Sequence, residues 1–257
     1  MQAITVEVME GGPDAAAHFA ATGWVVTEPL SPDVRDQLAR WVDEVARLDD
    51  ASGVLHHRER TSSGVQLCRT EDFATRHPDL GELLTTGVLV ETASLLLGEP
   101  AVLYKEKINY KLPGGAGFAP HQDAPAYPFV DVHLSCLIAI DDVDTENGCL
   151  EVVSNAHREI LPMDERGCVR ADIVGSMTWH AVTLTRGQVL WFDSRTPHRS
   201  AMNSSAVPRR ALYPTYSAAR SGDLRADYYA AKRREFDADE PGSHRISLIG
   251  DFEGVVV

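Results

Sequence analysis

A histidine and an aspartate one residue apart are the side chains in this sequence best suited to chemistry. His121 and Asp123 would project to the same face of an extended strand, because side chains alternate along a strand with a period of two. Two such ligands hold a metal poorly, so a third must come from a distant strand. His198 is the best candidate, because it follows the apolar run 189–192 and the strand-breaking Pro197. Two histidines and one carboxylate leave open positions on a metal, an arrangement suited to non-haem Fe(II) and oxygen chemistry.

Cationic residues follow one face of the strand that precedes this pair. In residues 105–111, alternate positions carry Lys105, Lys107, Asn109 and Lys111, which therefore share a face. Beside a metal, this face would suit a bound carboxylate or phosphonate. The alternative is a solvated face at a sheet edge, where lysines discourage pairing with another chain. Spacing alone does not separate the two interpretations.

A second cationic group lies further along the chain. Arg209 opens the predicted strand 209–216, which would run antiparallel to its predecessor if the chain turns near residues 203–205. Arg209 would then reach the pocket beside Ser200 across the ladder. A guanidinium grips a carboxylate through two parallel charge-assisted hydrogen bonds, so Arg209 could hold an organic acid. The alternative is a surface arginine, a role for which Arg210 is the better candidate.

The elements that must position these residues are helical in the first part of the chain. The pattern predicts a helix with a glycine stop over 13–21, a longer helix that begins after the N-cap Ser31, and a third helix over about 78–97. Residues 49–75 have no period and are interpreted as irregular, with a possible role as a loop over the site.

From residue 101 the chain consists of short β-like runs separated by turn residues. The predicted strands are 101–112, 132–140, 149–153, 178–184, 188–192 and 209–217. Helices followed by many short strands predict a mainly β fold with flanking helices, a cupin-like jelly roll.

We expect one domain that spans the chain. Its predicted parts are a helical buttress at about 13–98, a jelly-roll core at about 101–217, and a C-terminal helix and tail at 218–257. The apolar stretch 246–252 in that tail could pack on the barrel or on another subunit. The oligomeric state is expected to be a monomer or a small homo-oligomer.

Composition limits the partners. A formal net charge of −14 over 257 residues opposes nucleic-acid binding, which relies on basic residues. The chain shows no basic region followed by an apolar stretch at its start, and no apolar run approaches the ~20 residues of a membrane helix. A cytoplasmic protein with a small-molecule partner is therefore expected. The cysteines have no Cys-x-x-Cys spacing, which predicts free buried thiols.

Taken together, His121, Asp123, His198, Ser200 and Arg209 resemble the motif of the phytanoyl-CoA dioxygenase family of Fe(II)/2-oxoglutarate oxygenases over most of the chain. The resemblance implies a double-stranded β-helix. It also implies that His121, Asp123 and His198 are the catalytic iron ligands, while Arg209 and Ser200 hold the distal carboxylate of 2-oxoglutarate.

Further positions are similar to ectoine and amino-acid hydroxylases of that family, whose strand matches residues 107–111. The resemblance implies contacts with the cosubstrate for Asn109, Lys107 and Ser135, and contacts with the substrate for Lys105, Tyr127 and His133.

Retention of Asp123 implies hydroxylation, because halogenating relatives replace this carboxylate by a small residue. The segments 105–115 and 121–127 are most similar to bacterial hydroxylases of 2-aminoethylphosphonate. This implies a small phosphonate substrate, such as 2-aminoethylphosphonate, and a separate downstream oxidative enzyme. Two other hypotheses stay open: a hydroxylase of a free amino acid or natural-product intermediate, and a metal-binding cupin without oxygen chemistry, such as an isomerase or sensor.

Overall fold

The computed structural model of the chain describes residues 7–127, 129–237 and 245–257. Within these ranges the chain forms helices that flank two β-sheets. The helices are α1 (Pro13–Thr22), α2 (Pro32–Ala46), α3 (Pro78–Thr85), α4 (Gly87–Leu97), α5 (Ala171–Val174) and α6 (Arg225–Asp237). The strands are β1 (Val8–Met9), β2 (Trp24–Thr27), β3 (Leu55–Thr61), β4 (Gly64–Glu71), β5 (Ala101–Lys111), β6 (Phe118–His121), β7 (His133–Ala139), β8 (Leu150–Val152), β9 (His180–Val182), β10 (Val189–Asp193), β11 (His198–Ser200), β12 (Arg209–Ala218) and β13 (Val255–Val256).

The longest helix, α2, shows how the local sequence sets these elements. The Ser31 hydroxyl accepts a hydrogen bond from the backbone N–H of Val34 at 3.4 Å, and Pro32 occupies the first turn. Leu38 and Val42, one helical turn apart, are buried in the apolar core that the helices share with the large sheet. The helices predicted from the sequence therefore cover one face of that sheet.

The predicted third helix over 78–97 was wrong in one respect, because it is two helices in the structure. Thr86 is extended and Gly87 has a φ of 62°, a left-handed conformation that glycine adopts without strain. The chain therefore leaves α3 and starts α4 at this point.

Contrary to the expectation from composition, the stretch Pro78–Leu97 is long and apolar enough to cross a membrane, with a mean hydropathy of 1.4. This is weak evidence for a span, because helices that pack on a protein core pass the same test. Leu80, Leu84 and Leu89 of this stretch are buried in the core beneath the large sheet.

The interpretation of residues 49–75 as irregular was wrong. The segment contains β3 and β4, which form an antiparallel hairpin, and β4 also pairs with β5 so that Arg69 lies opposite Asn109. The apolar pattern missed these strands because their inward positions carry polar residues such as Glu59 and Arg69, both buried. The division of the chain into buttress, core and tail stays a prediction.

Two sheets pack face to face around a common core. The large sheet has the order β1-β2-β10-β7-β12-β5-β4-β3-β13, and the small sheet has the order β6-β11-β8-β9. Leu190 and Phe192 of the large sheet meet Leu150 and Val182 of the small sheet between them. Full burial of an apolar side chain of this kind contributes about 1.5–3 kcal/mol to the free energy of folding. The four cysteines are free and buried, as predicted.

The predicted hairpin between the strands that carry Ser200 and Arg209 was wrong. β12 pairs with β5 and β7 in the large sheet, whereas β11 pairs with β6 and β8 in the small sheet. The buried Asn203 directs this crossover, because its side-chain amide donates to the carbonyls of Lys111 and Val207, each at 2.8 Å. Consecutive strands therefore lie in different layers.

Residues 245–257, called the C-terminal strap below, form a series of bends that ends in the short strand β13. The Asp251 carbonyl accepts a hydrogen bond from the Ala119 N–H at 2.7 Å, and Phe252 forms a bridge with Phe118 of β6. Further on, β13 pairs with β3. The strap thus joins an edge strand of the small sheet to the large sheet. The apolar stretch 246–252, whose partner was left open, packs on its own barrel.

α6 is held against the barrel by buried ionic contacts. Lys232 Nζ lies 2.6 Å from Glu71 Oε1, and both side chains are buried. The carbonyl of Ile246 in the C-terminal strap accepts hydrogen bonds from Lys232 at 3.2 Å and from Arg69 at 2.7 Å. α6, β4 and the strap therefore meet at one buried polar cluster.

Replacing Lys232 by methionine should lower the free energy of unfolding by about 3 kcal/mol, because the buried Glu71 carboxylate loses its nearest cation. Urea unfolding followed by tryptophan fluorescence measures this loss. The control is Arg234→Met on the exposed side of α6, which should change the value by less than about 0.5 kcal/mol. Similar losses in both variants would contradict a specific role for the buried pair.

Candidate active site

His121 and His198 meet because their strands are neighbours in the small sheet. In the antiparallel pair of β6 and β11, His198 lies directly opposite His121, and the ring centroids are 4.1 Å apart. Asp123 follows two residues after His121, where β6 has ended. One ligand atom from each of the three buried residues lies within 4.8 Å of the other two. The structure thus brings together the three residues predicted to bind a metal.

Backbone carbonyls orient both imidazoles toward the same point. Nδ1 of His121 lies 2.7 Å from the Ala119 carbonyl, and Nδ1 of His198 lies 3.0 Å from the Thr196 carbonyl. Because a carbonyl only accepts, each Nδ1 carries the proton and donates it, which leaves the Nε2 lone pair free for a metal. The second carboxylate oxygen of Asp123 accepts a hydrogen bond from the Ser135 hydroxyl at 3.3 Å.

The charges around the triad favour the protonation states that a metal needs. Burial, followed by the neighbouring His121, lowers the pKa of His198 to about 4, so its ring is neutral at physiological pH. Burial alone would raise the pKa of Asp123, but Lys107, His198 and Lys105 outweigh it and hold the pKa well below its usual range. A neutral imidazole and an ionised carboxylate are the forms that ligate metals.

A cavity lies directly beside the triad, between the two sheets. Of the five residues predicted to contact a cosubstrate, the ones that line the cavity are Lys107, Asn109, Ser200 and Arg209. Leu150 and Phe192 contribute apolar walls. Arg209 and Ser200 face the cavity from opposite sheets, so they approach each other without being ladder neighbours.

Arg209 is almost fully buried, with 1% of its surface exposed. Its guanidinium donates to the Gly148 carbonyl and to the Tyr213 hydroxyl, the latter at 3.3 Å. Its Nε has no acceptor among the described residues. The neighbouring Arg210 instead pairs with Asp141 and Asp43 away from the cavity. Of the two arginines, Arg209 is therefore the one that can receive a ligand in the cavity.

Asn109 and Ser135, two more of the five predicted cosubstrate residues, also have protein partners. The Asn109 side-chain carbonyl accepts a hydrogen bond from Arg69 Nε at 2.9 Å, which leaves its amide N–H groups for a ligand. Ser135 does not line the cavity, and its hydroxyl contacts Asp123 and Thr215. Its contact with the triad carboxylate suggests a positioning role, while the predicted contact with a cosubstrate stays a prediction.

The cationic face of β5 is buried. β5 is an interior strand of the large sheet, so the alternative of a solvated edge was wrong. Lys111 donates to the Ser200 hydroxyl at 2.8 Å. The side chain of Lys105, only 6% exposed, has no hydrogen bond or ion pair in the described ranges. Burial, followed by the charge of Lys107, lowers the pKa of Lys105 well below its usual range.

The three residues predicted to contact a substrate form one cluster. Lys105 Nζ lies 4.2 Å from the ring centroid of Tyr127, and the Tyr127 and His133 rings are 4.7 Å apart. His133 Nδ1 lies 2.5 Å from the Ser194 hydroxyl, while its Nε2 has no partner in the described part of the chain. Burial lowers the pKa of His133 to about 4. The cluster offers the buried amino group of Lys105 and one neutral imidazole to a ligand.

The sequence reasoning missed several residues at or near the site, among them Arg69, Tyr228 and Asp251. Arg69 orients Asn109 from a strand that was not predicted. Tyr228 of α6 places its ring 5.5 Å from Lys105 Nζ. Asp251 of the C-terminal strap lines the cavity, with Oδ2 3.3 Å from His121 Nε2. No local pattern marks these residues, because the contacts join segments far apart in sequence.

Comparison with known proteins identifies the family. Residues 19–211 match the family of phytanoyl-CoA dioxygenase (PhyH). The chain belongs to the phytanoyl-CoA dioxygenase family. Methylphosphonate hydroxylase of Gimesia maris is 44% identical over 239 residues, which cover 91% of this chain and 92% of that protein. The 2-aminoethylphosphonate dioxygenase of Uncultured bacterium HF130_AEPn_1 is 35% identical over 217 residues, which cover 82% of this chain and 81% of that protein.

The fold of this phytanoyl-CoA dioxygenase family member is shared with solved structures. EctD from S. alaskensis, determined with 2-oxoglutarate and 5-hydroxyectoine, superimposes with a TM-score of 0.71 at 22% identity, over 84% of this chain and 80% of that one. The predictions of the family, of a jelly-roll fold and of a dioxygenase that acts on a small molecule are confirmed. The individual roles of the site residues stay predictions.

In this phytanoyl-CoA dioxygenase family member, His198→Ala should weaken divalent-metal binding by at least about 100-fold, because the substitution removes one of the three predicted ligands. Competition with a chromophoric chelator, with Mn(II) or Co(II) as the probe, measures the affinity. His180→Ala, on β9 of the same sheet but away from the triad, is the control and should bind metal as the wild type does. Wild-type affinity in His198→Ala would exclude His198 as a ligand.

Proposed function

We propose that the protein is an Fe(II)- and 2-oxoglutarate-dependent dioxygenase that hydroxylates a C–H bond of a small alkylphosphonate. The observation that carries this proposal is the arrangement of buried cations in two groups around one metal triad. Arg209 and Lys107 line the cavity beside the triad, and Lys105 lies separately beside Tyr127. Two anions, a dicarboxylate and an anionic substrate, would be accommodated at one metal.

The donor set fits Fe(II). Two imidazoles and a carboxylate form the facial arrangement that leaves open positions for exogenous ligands. In enzymes of this type, the bound iron supplies the coupling of substrate hydroxylation to oxidative decarboxylation of 2-oxoglutarate. On this proposal, the protein supplies binding, orientation and exclusion of water.

The cavity suits the cosubstrate because Arg209 keeps one buried N–H group without an acceptor among the described residues. The buried Nε of Arg209 needs an acceptor, and a carboxylate of 2-oxoglutarate provides one. The Ser200 hydroxyl already accepts a hydrogen bond from Lys111, so its own proton is available to the same carboxylate. Phe192 and Leu150 would shield the bound acid from water, which strengthens these contacts.

Asp123 directs the reaction to hydroxylation. A halogenating enzyme needs a vacant ligand position for halide, whereas here a carboxylate occupies it. Lys107 and Lys105 keep Asp123 ionised, and Ser135 fixes one of its oxygens. The carboxylate is thus held in the form and orientation of a permanent ligand.

Lys105 would bind the phosphonate of the substrate. It is a buried cation without an anionic partner within ion-pair distance in the described ranges, and His133 Nε2 lies in the same cluster with no partner. A phosphonate carries several strong acceptor oxygens, which could satisfy both groups. The C–H bond to be oxidised would then be held beside the triad.

The cluster favours an uncharged alkyl group over an ammonium. Lys105 already lies over the face of Tyr127, so this ring is not free to receive a substrate ammonium. The nearby Glu71 carboxylate is held by Lys232 and Arg69. We therefore propose methylphosphonate or a similar short alkylphosphonate ahead of 2-aminoethylphosphonate, an order that agrees with the higher identity to the relative named methylphosphonate hydroxylase.

We further propose that the chain acts in the cytoplasm, as a monomer or small homo-oligomer. A hydroxylated phosphonate still contains its C–P bond, so a separate oxidative enzyme would be needed to cleave it.

Replacing Arg209 by alanine should raise the Kd for 2-oxoglutarate by roughly 100-fold, equal to about 3 kcal/mol, because a buried charge-assisted contact is lost. Anaerobic titration of the Fe(II)-loaded protein, followed by the visible metal-to-ligand charge-transfer band, gives this Kd. Arg210→Ala is the matched control and should leave it unchanged. A raised Kd in Arg210→Ala with an unchanged Kd in Arg209→Ala would make Arg210 the residue that binds the carboxylate. Absence of the charge-transfer band in the Fe(II)-loaded wild type would favour the non-oxygenase cupin.

The substrate class is tested with a panel of methylphosphonate, 2-aminoethylphosphonate and free amino acids. We expect methylphosphonate to give a hydroxylated product by ³¹P NMR together with an equal amount of succinate. Lys105→Met should lower kcat/KM for it about 100-fold by loss of a buried ion pair, while the Kd for 2-oxoglutarate stays the same. Turnover of amino acids but of no phosphonate would overturn the substrate assignment and leave the cosubstrate assignment intact.

A further inference from the structure

Strand β5 contains a β-bulge at Tyr104. In the ladder between β5 and β12, Lys105 lies opposite Thr215, whereas Leu103 lies opposite Tyr216, the next residue of β12. Tyr104 is therefore an extra residue of β5 without a partner on β12. Such a residue shifts the alternation of side chains along the strand by one position. Bulges often lie next to ligand sites, where they redirect a side chain.

The shift is visible in the side chains on either side of the bulge. Leu103 and Ile108 are an odd number of positions apart, so strict alternation would place them on opposite faces of β5. Both instead pack in the apolar core that the helices share with the large sheet. The bulge between them therefore brings Tyr104 to the same face as its neighbour Lys105, away from the helices.

Ring contacts agree with this placement. The Tyr104 ring centroid lies 5.7 Å from that of Tyr127 and 5.1 Å from that of Tyr228. Lys105 Nζ lies over the rings of the same two tyrosines. The His133 ring is 6.4 Å from that of Tyr104. Tyr104 thus belongs to the cluster of predicted substrate residues, although the sequence reasoning did not include it.

Two buried polar atoms of this cluster have no partner. Tyr104 is fully buried, and its hydroxyl lies near the Phe129 backbone without making a hydrogen bond to any described group. His133 Nε2 is likewise buried without a partner in the described part of the chain. An unpaired buried polar atom is unfavourable, and two of them in one cluster indicate a ligand that supplies the missing hydrogen bonds.

The donors of the cluster define the chemistry of that ligand. Burial raises the pKa of Tyr104 above its usual range, so its hydroxyl keeps the proton and can donate it. The Lys105 amino group beside it is a donor without an acceptor in the described ranges. Convergent donors suit an oxyanion, and a phosphonate offers more acceptor oxygens than a carboxylate does.

An open cavity gives such a ligand space beside the cluster. Tyr127 and His133 line it together with Arg195, and water can occupy about 260 Å³ of it. This volume is ample for a small alkylphosphonate. The charge of Asp123 acts on both Tyr127 and His133, so the wall that these two residues form is also close to the metal triad.

We propose that Tyr104 is a substrate-binding residue whose hydroxyl, brought beside Lys105 by the β-bulge, donates a hydrogen bond to the phosphonate. This inference rests on the proposed function, since it takes an alkylphosphonate as the substrate. The bulge then adds a second donor next to Lys105, which regular alternation would have turned toward the helices.

The test is the affinity for methylphosphonate of the protein loaded with Mn(II) and 2-oxoglutarate, measured by isothermal titration calorimetry, in which no turnover occurs. Tyr104→Phe keeps the ring and its contacts but removes the hydroxyl. We expect its Kd for methylphosphonate to rise about 30-fold, equal to about 2 kcal/mol, because a hydrogen bond to a charged group is lost. The Kd for 2-oxoglutarate should not change. An unchanged Kd for methylphosphonate would overturn the inference.

Tyr110→Phe is the matched control. Tyr110 is also a residue of β5 with a buried, unpartnered hydroxyl, but it packs in the core on the helical face of the sheet. Its Kd for methylphosphonate should equal that of the wild type. Equal losses of affinity in the two variants would mean that removal of a buried hydroxyl acts through the fold, and would contradict a direct contact.

Thermal unfolding of the substrate-free protein separates binding from a structural role. Because Tyr104 Oη has no partner in the free protein, Tyr104→Phe should unfold at the wild-type Tm or above it. A Tm lowered by several degrees would assign the hydroxyl to the fold and overturn the inference. Failure of the proposed function gives a different pattern, because then the wild type itself does not bind methylphosphonate.

Discussion

Burial of positive charge beside the metal triad is the constraint on which the rest of the structure depends. Three lysine side chains project from one face of β5 into the interior: Lys105, Lys107 and Lys111. Burial lowers the pKa of each amino group. Unpaired buried ammonium groups are strongly unfavourable, so such a face persists only with compensating negative charge nearby. Asp123 supplies part of it, and the lysines in turn keep Asp123 ionised. Asp123 and the lysine-bearing face of β5 therefore stabilise each other's charges in the interior.

The sequence was sufficient to name the triad residues, although one reason for choosing them was wrong. Asp123 lies beyond the end of β6 in a helical conformation, so strand alternation is not what places it beside His121. Pro197 does mark the point at which His198 begins its strand. The alternation in β5 did predict which side chains share a face. The prediction that Ser200 and Arg209 face the same pocket agrees with the cavity lining, but the hairpin from which it was argued does not exist. Adjacent strands usually pair, but a jelly roll sends consecutive strands to opposite sheets, so the two residues meet across the core.

The parts that could not be predicted share one physical cause. β3 and β4 bury polar side chains, Glu59 and Arg69 among them, so the usual apolar pattern of a strand is absent. Their burial is compensated by partners from distant segments, such as Asn109 for Arg69 and the loop N–H of Ala116 for Glu59. A single sequence shows the charged residue without its partner. Buried polar networks are for this reason invisible to patterning, although they position the residues at the site.

The end of the chain has more influence on the site than its position suggests. The Ile246 carbonyl binds both Arg69 of β4 and Lys232 of α6, so the start of the C-terminal strap is tied to the group that orients Asn109. α6 also places Tyr228 beside Lys105. The small sheet and β5 carry the triad and the buried cations, while Tyr228 and Asp251 come from segments that follow the last long strand. Substitutions in α6 or in the C-terminal strap can therefore change the walls of the site without moving His121, Asp123 or His198.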